Sequence, residues 1–275
     1  MPPLAIAFAL TAALLHATWN LLLARSTDTN AALAVAMLAG SLLILPFALL
    51  RWRLEPEALP FVAVSALLEL AYFWLLARAY RQADLSLVYP IARGLAPVLV
   101  LVGSVLVVGQ QTAVGSVTGV VLVAVGVVLV RGLRSPASWR DVAMAIGIAC
   151  LIASYTLVDQ RGVSHADPLT YLVLVVGIPA VVYAGVLVTR NGGATRFRAA
   201  MSPSTLAGGV GVVAAYGLVL AALGLAPAAG VAALRETSIV MATILAAVVL
   251  HERVERSRWL GSVVVVAGIA LVVTA

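Results

Sequence analysis

The chain has 275 residues, 63% of them hydrophobic and only 10% charged, with a formal net charge of +6 and a mean hydropathy of +1.13. A soluble domain carries roughly a quarter charged residues, so this surface must face lipid, and a soluble fold is excluded. All 17 basic residues are arginine, and most sit in short segments between apolar runs. That placement points to charge that orients helices in a bilayer, not to the nucleic-acid partner that a pI near 10.1 would suggest in a soluble protein.

The apolar runs predict an all-α integral membrane protein with ten spans, at roughly 4–24, 31–50, 60–80, 85–108, 113–131, 141–160, 168–189, 204–223, 227–250 and 256–274, each near the twenty residues that cross a bilayer. The first span has no basic segment before it and reads as a retained helix, not a cleaved signal. On it His16, Trp19 and Asn20 share one face by their i, i+3, i+4 spacing. They suit either a pocket wall or a packed interface. The third span carries Glu69 at its middle, with Tyr72 close to one turn on. The fourth carries Tyr89 and Arg93, with Arg93 between Pro90 and Pro97, where missing donors should leave carbonyls partly free. The fifth has Gly115 and Gly119 and the tenth Gly261 and Gly268, small residues spaced for close helix packing. Tyr155 on the sixth span and Tyr216 on the eighth supply aromatic positions. Cys150, the single cysteine, also lies in the sixth span, so no intramolecular disulfide is possible. The ninth holds Arg235-Glu236-Thr237-Ser238, the most polar run in any span.

Sliding the chain on itself by 142 residues sets Arg93 on Arg235, Gln110 on Glu252, Gly119 on Gly261 and Gly126 on Gly268. A shift of 136 sets Trp19 on Tyr155 and Arg25 on Arg161; one of 137 sets Gly40 on Gly177; one of 144 sets Ala71-Tyr72 on Ala215-Tyr216. Each half then holds five helices, residues 1–134 and 138–275. Five is odd, so the second half crosses the membrane the other way. Inverted repeats of this kind are a common build for secondary transporters, with the substrate site between the halves.

The sequence resembles the EamA-type branch of the drug/metabolite transporter superfamily. The residues that carry the likeness are His16-Ala17-Thr18-Trp19-Asn20, the stretch Asp84-Leu85-Ser86-Leu87-Val88-Tyr89-Pro90-Ile91-Ala92-Arg93-Gly94, and Leu250-His251-Glu252-Arg253, where His251 replaces a usual glycine. The resemblance covers essentially the whole chain. It implies an exporter or exchanger of small metabolites in the cytoplasmic membrane, driven by a gradient, with a proton or counter-substrate as coupling partner and no cofactor.

Ionisable side chains inside spans cost several kcal/mol to insert and mark function by default. Arg93, Arg235, Glu69 and Glu236 are therefore the leading site candidates, with Tyr89, Trp19, Asn20, His16, Tyr72, Tyr155 and Tyr216 around them. At 1.5 Å per residue each arginine lies roughly 6 Å from the midplane, on opposite sides of it. Their guanidinium forks suit a carboxylate or phosphate, so the expected substrate is a small metabolite, anionic in character. In the competing reading the arginines merely tie helices together through Glu69 or Glu236. Glu236 points about 100° from Arg235 on its helix and can face the other half. If protons drive transport, Glu69 or Glu236 is the expected carrier, because the first span holds no carboxylate.

The alternative class is a non-transporting membrane scaffold or a lipid-active enzyme. No catalytic set stands out: His251-Glu252-Arg253-Val254-Glu255 lacks the second histidine of a zinc pair, and no nucleophile elbow or metal-spaced cluster occurs. If the spans alternate, Arg25, Arg81, Arg131, Arg134, Arg140, Arg190, Arg196, Arg198, Arg253, Arg256 and Arg258 share one side, and Arg51, Arg53 and Arg161 share the other with both termini. Charge then places both termini outside the cytoplasm, whereas the resembling family is usually drawn with both inside.

Overall fold

The computed structural model describes residues 1–24, 26–82, 85–131, 138–248 and 256–275. Within these, the side chains of Leu21, Ala24, residues 80–82, 85–87 and 89–90, Arg131, Ala242 and residues 245–248 are left undescribed. Arg25, Asp84, Arg134 and the segment from Leu250 to Glu255 with His251, Glu252 and Arg253, all named above, therefore lie outside the described residues, as do the side chains of Arg81, Leu85 to Leu87 and Arg131.

The described residues form helices α1 (Pro3–Ala24), α2 (Thr29–Leu50), α3 (Leu59–Gln82), α4 (Leu85–Leu106), α5 (Val114–Arg131), α6 (Trp139–Gly162), α7 (Pro168–Val188), α8 (Gly193–Ala199), α9 (Pro203–Leu223), α10 (Ala228–Arg235), α11 (Thr237–Val248) and α12 (Arg256–Thr274). Bilayer hydrocarbon offers no partner to a backbone amide, so long apolar runs must close their hydrogen bonds internally as helices. Among the described residues, seven helical stretches are long and apolar enough to cross a membrane, and Ile91–Leu106 and Val114–Val130 are shorter apolar stretches. Polar residues start the helices where the sequence leaves the apolar runs. Asp28 accepts from the Ala31 N–H, Asp167 from Leu169 and Ser202 from Thr205, each satisfying an amide that the first turn leaves open. Pro168 and Pro203 stand in first turns, where no intrahelical N–H is needed.

One expectation about the spans changes. The run at 227–250 is not one continuous helix: it breaks at Glu236 between α10 and α11. There Glu236 N–H donates to the Ala233 carbonyl and Ile239 N–H to the Glu236 carbonyl, the tighter i to i+3 pattern. The fourth span forms one helix, with α4 running unbroken through Pro90 and Pro97. The short α8, rich in arginine, interrupts the connection between α7 and α9.

Packing relies on small residues. A Cβ built on Gly119 would sit 2.6 Å from the Gly268 carbonyl oxygen, and one on Gly126 2.8 Å from that of Gly261, so α5 and α12 lie backbone to backbone and antiparallel. Gly40 of α2 meets the Gly209 carbonyl of α9 in the same way, at 2.5 Å. Connections tie the two ends. Leu54 and Ala166 form an antiparallel bridge, flanked by Glu55 N–H to His165 carbonyl at 3.0 Å and Asp167 N–H to Arg53 carbonyl at 2.9 Å, with His165 Nδ1 3.2 Å from Glu55 Oε2. Elsewhere Arg196 Nε donates to Asp28 Oδ2 at 2.6 Å.

Candidate functional site

A cavity of about 90 Å³ lies within the bundle, reached by side chains of α1, α3, α4, α6, α9 and α10, with Leu33 of α2 and Val176 of α7 completing it. Of the residues singled out from sequence, His16, Trp19, Glu69, Tyr72, Arg93, Tyr155, Tyr216 and Arg235 line it. Asn20 does not. Its Nδ2 donates to the carbonyl of His16, one turn back, at 2.7 Å, which folds the amide onto its own helix. Glu236 stands behind Arg93 and does not reach the cavity lining. Tyr89 belongs to α4, and its side chain is outside the described residues.

The wall is aromatic. His16 and Trp19 meet edge to face at 4.9 Å between centroids, Tyr72 and Tyr155 at 5.9 Å, and Tyr155 and Tyr216 at 6.2 Å, the offset geometry that ring quadrupoles favour. Trp19 Nε1 is buried and finds no hydrogen-bond acceptor among the described residues.

The two arginines have unequal surroundings. Arg93, 7% exposed, places Nε 3.1 Å from Oε2 of Glu236, itself 3% exposed, and its NH2 donates to Ser238 Oγ at 3.3 Å. The Nε–Oε2 contact is an ion pair and not an aligned hydrogen bond, because the N–H direction misses the oxygen. Arg93 is thus joined to the break between α10 and α11. Arg235, half-buried on the cavity, has no carboxylate in ion-pair contact among the described residues. It is the common electrostatic neighbour of His16, Glu69, Tyr155 and Asp159. The tie expected between the arginines and Glu69 or Glu236 is met at Arg93 by Glu236 and has no counterpart at Arg235 among the described residues. The sequence holds the reason: in the 142-residue register Glu236 falls on Gly94, so Arg235 has no carboxylate from the first half to match the one that meets Arg93.

Asp159 is the residue that sequence reasoning missed. It is fully buried on α6, accepts from Ser65 Oγ at 2.5 Å and Tyr171 OH at 3.1 Å, and also from Tyr216 OH. Three hydroxyl donors on one carboxyl make its burial tolerable. Tyr216 therefore stands between this buried acid and the cavity that Glu69 lines. Its signal was present in the spacing, since Asp159 follows Tyr155 by one turn.

The family model described as the EamA-like transporter family matches the chain twice, over residues 3–132 and 139–274. No curated protein matches the chain. Among solved structures, one titled only as the crystal structure of a protein aligns with 97% of this chain and 95% of its own length, at a TM-score of 0.76 and 17% identity, a likeness of fold.

Proposed function

Because the chain belongs to the EamA-like transporter family, and so is a multi-pass membrane transporter of small molecules, we propose that it is a secondary transporter, exporter or exchanger, of the cytoplasmic membrane whose substrate presents an anionic group to Arg235. The observation that carries this reading is the inequality of the arginines. Glu236 neutralises Arg93, whereas Arg235 faces the cavity with no carboxylate in ion-pair contact among the described residues. A planar, permanently charged fork in an aromatic, partly desolvated cavity binds carboxylate or phosphate well.

The architecture in this reading is ten spans in two inverted five-helix repeats, residues 1–134 and 138–275, with α10 and α11 as one interrupted span and α8 outside the count. Helix neighbours support it by exchanging under the repeat: α1 packs on α9 as α6 packs on α3, α2 on α9 as α7 on α3, and α4 on α6 as α10 and α11 on α1. The glycine contacts do the same, since Gly119 with Gly268 becomes Gly261 with Gly126. A discontinuous helix beside a midplane site is the usual transporter arrangement. The arginine excess beyond the C-terminal end of α7 and at the starts of α6 and α12 supports placing those ends in the cytoplasm and both termini outside; cytoplasmic fluorescence from a C-terminal reporter fusion would refute that orientation.

Glu69 is the proposed proton carrier. An ionised Glu69 repels an anion at Arg235, and a protonated one does not, so proton and anion bind cooperatively across one cavity. Glu236 is the weaker candidate because Arg93 holds it as a pair. The test is thermal stabilisation of purified protein across a panel of carboxylates, phosphates and uncharged analogues. An anionic ligand should raise the melting temperature of the wild type and of Glu69→Gln, and leave Arg235→Gln unmoved. The reading fails if uncharged analogues stabilise equally or if Arg235→Gln keeps the response.

A further inference from the structure

A second, larger cavity of about 410 Å³ lies away from the central one, along α3 and α7. Its long walls are apolar. Leu67 and Trp74 of α3 and Val182 and Val186 of α7 line it, and these are 66%, 56%, 42% and 48% exposed, so it opens toward the lipid. Its lining also takes in polar groups that follow α7 in the chain. Arg190 and Arg196 line it, and Arg78 of α3 lies over the Trp74 ring, its Cζ 5.9 Å from the centroid. Arg196 is held by Asp28, yet its side chain remains 46% exposed. Arg190 is exposed and has no ion pair among the described residues.

Across the repeat the equivalent contact is that of α2 with α9, and there Gly40 and Gly209 bring the backbones together. On α7, Gly177 stands at the position matching Gly40, but its nearest neighbour beyond its own helix is Ser41, at 3.7 Å. In the 144-residue register Leu67 and Leu70 on α3 fall on the small Gly211 and Ala214 of α9, and Trp74 falls on Leu218.

We infer that this groove is a binding site for one anionic phospholipid of the surrounding bilayer, an acyl chain lying along Leu67, Trp74, Val182 and Val186 and the phosphate held by Arg190 with Arg196 and Arg78. Three features select this occupant. An apolar trough opening to hydrocarbon takes an acyl chain, since any polar ligand would leave its own groups unsatisfied there. Guanidinium forks near the membrane interface match a phosphate. Basic pockets between spanning helices are a recognised form of headgroup site. Asp28 is the one acid in contact with the cluster among the described residues, and it offsets one of three cations.

Tryptophan quenching tests this directly, because Trp74 lies inside the groove. The full-length protein is reconstituted into phosphatidylcholine vesicles containing either brominated phosphatidylglycerol or brominated phosphatidylcholine at the same mole fraction. The signal that Trp74→Phe removes is assigned to Trp74. Brominated phosphatidylglycerol should quench that signal in preference to brominated phosphatidylcholine, with a selectivity of about fivefold per basic contact. Arg190→Gln should reduce the preference, and Arg198→Gln, an exposed arginine outside the groove, should not. Ala71→Phe, which fills the groove, should abolish the excess quenching. Equal quenching by the two lipids marks ordinary annular contact and overturns the site. So does an equal loss with Arg198→Gln, which marks general surface charge.

Discussion

Arg93 and Arg235 occupy the same register of the two halves, yet they live differently. Arg93 is buried against Glu236 and Ser238, while Arg235 is half-buried on the cavity with no paired carboxylate among the described residues. One residue decides it. The neighbour of Arg235 is Glu236, and the neighbour of Arg93 is Gly94, whose Cβ position lies 3.1 Å from the Ala124 carbonyl oxygen. Close packing of α4 on α5 leaves no room there for a carboxylate. A duplicated cation has thus become a structural tie in one half and an available charge in the other.

The largest effect should follow removal of Glu236. Glu236→Ala strands a buried guanidinium, and loss of one partner of such a pair costs about 3–5 kcal/mol. Arg93→Met with Glu236→Met together should recover most of that loss in thermal melting, since an apolar pair replaces a charged one. Wild-type melting of Glu236→Ala would erase the distinction between the two arginines.

Asp159 sharpens the contrast from the acidic side, being held by the hydroxyls of Ser65, Tyr171 and Tyr216. Tyr171→Phe removes one donor and should lower stability by about 1–3 kcal/mol, measured by the same melt. Arg235→Gln should change stability far less, within about 0.5 kcal/mol, while abolishing stabilisation by an anionic ligand. Poor folding of Arg235→Gln would make it a structural tie like Arg93.

The smallest effect belongs to the exposed pair of Asp28 and Arg196. The hydrogen bond from Arg196 holds the Asp28 carboxyl below its ordinary value of 3.8, helped by the Ala31 N–H. A depressed carboxyl pKa stabilises the fold above the ordinary value, and that stability is lost as pH falls through the lowered one. Wild type should therefore exceed Asp28→Asn by about 0.2–1 kcal/mol at neutral pH, with the difference vanishing in acid. A gap that persists at low pH would assign the effect to helix capping instead.

The sequence made the charged centre legible because charge in an apolar span is rare and the repeat doubled it. Glu69, both arginines and the aromatic wall were found that way. Asp159 escaped because it stands beside Gln160 and Arg161, where polar residues read as the end of a span. Asn20 was misplaced because spacing gives a face but cannot show an amide turning back onto the His16 carbonyl. The break at Glu236 has no glycine or proline to announce it. Thr237 Oγ1 donates to the Leu234 carbonyl at 2.7 Å, and this side-chain bond takes up a carbonyl where the ladder tightens. Pro90 and Pro97, by contrast, leave α4 unbroken.

The seam between α5 and α12 has a consequence for motion. Where Gly119 faces Gly268 and Gly126 faces Gly261, the backbones touch, and the side chains beside them are valines, Val123, Val130, Val265 and Val272, whose branched Cβ leaves χ1 little freedom. Shear between packed helices is a small sliding of one surface over the other, and here close backbones and stiff valines oppose it on both surfaces. Neither helix contributes a described residue to the central cavity. The two helices are built as a keel, a stiff seam that stands apart from the helices lining the cavity.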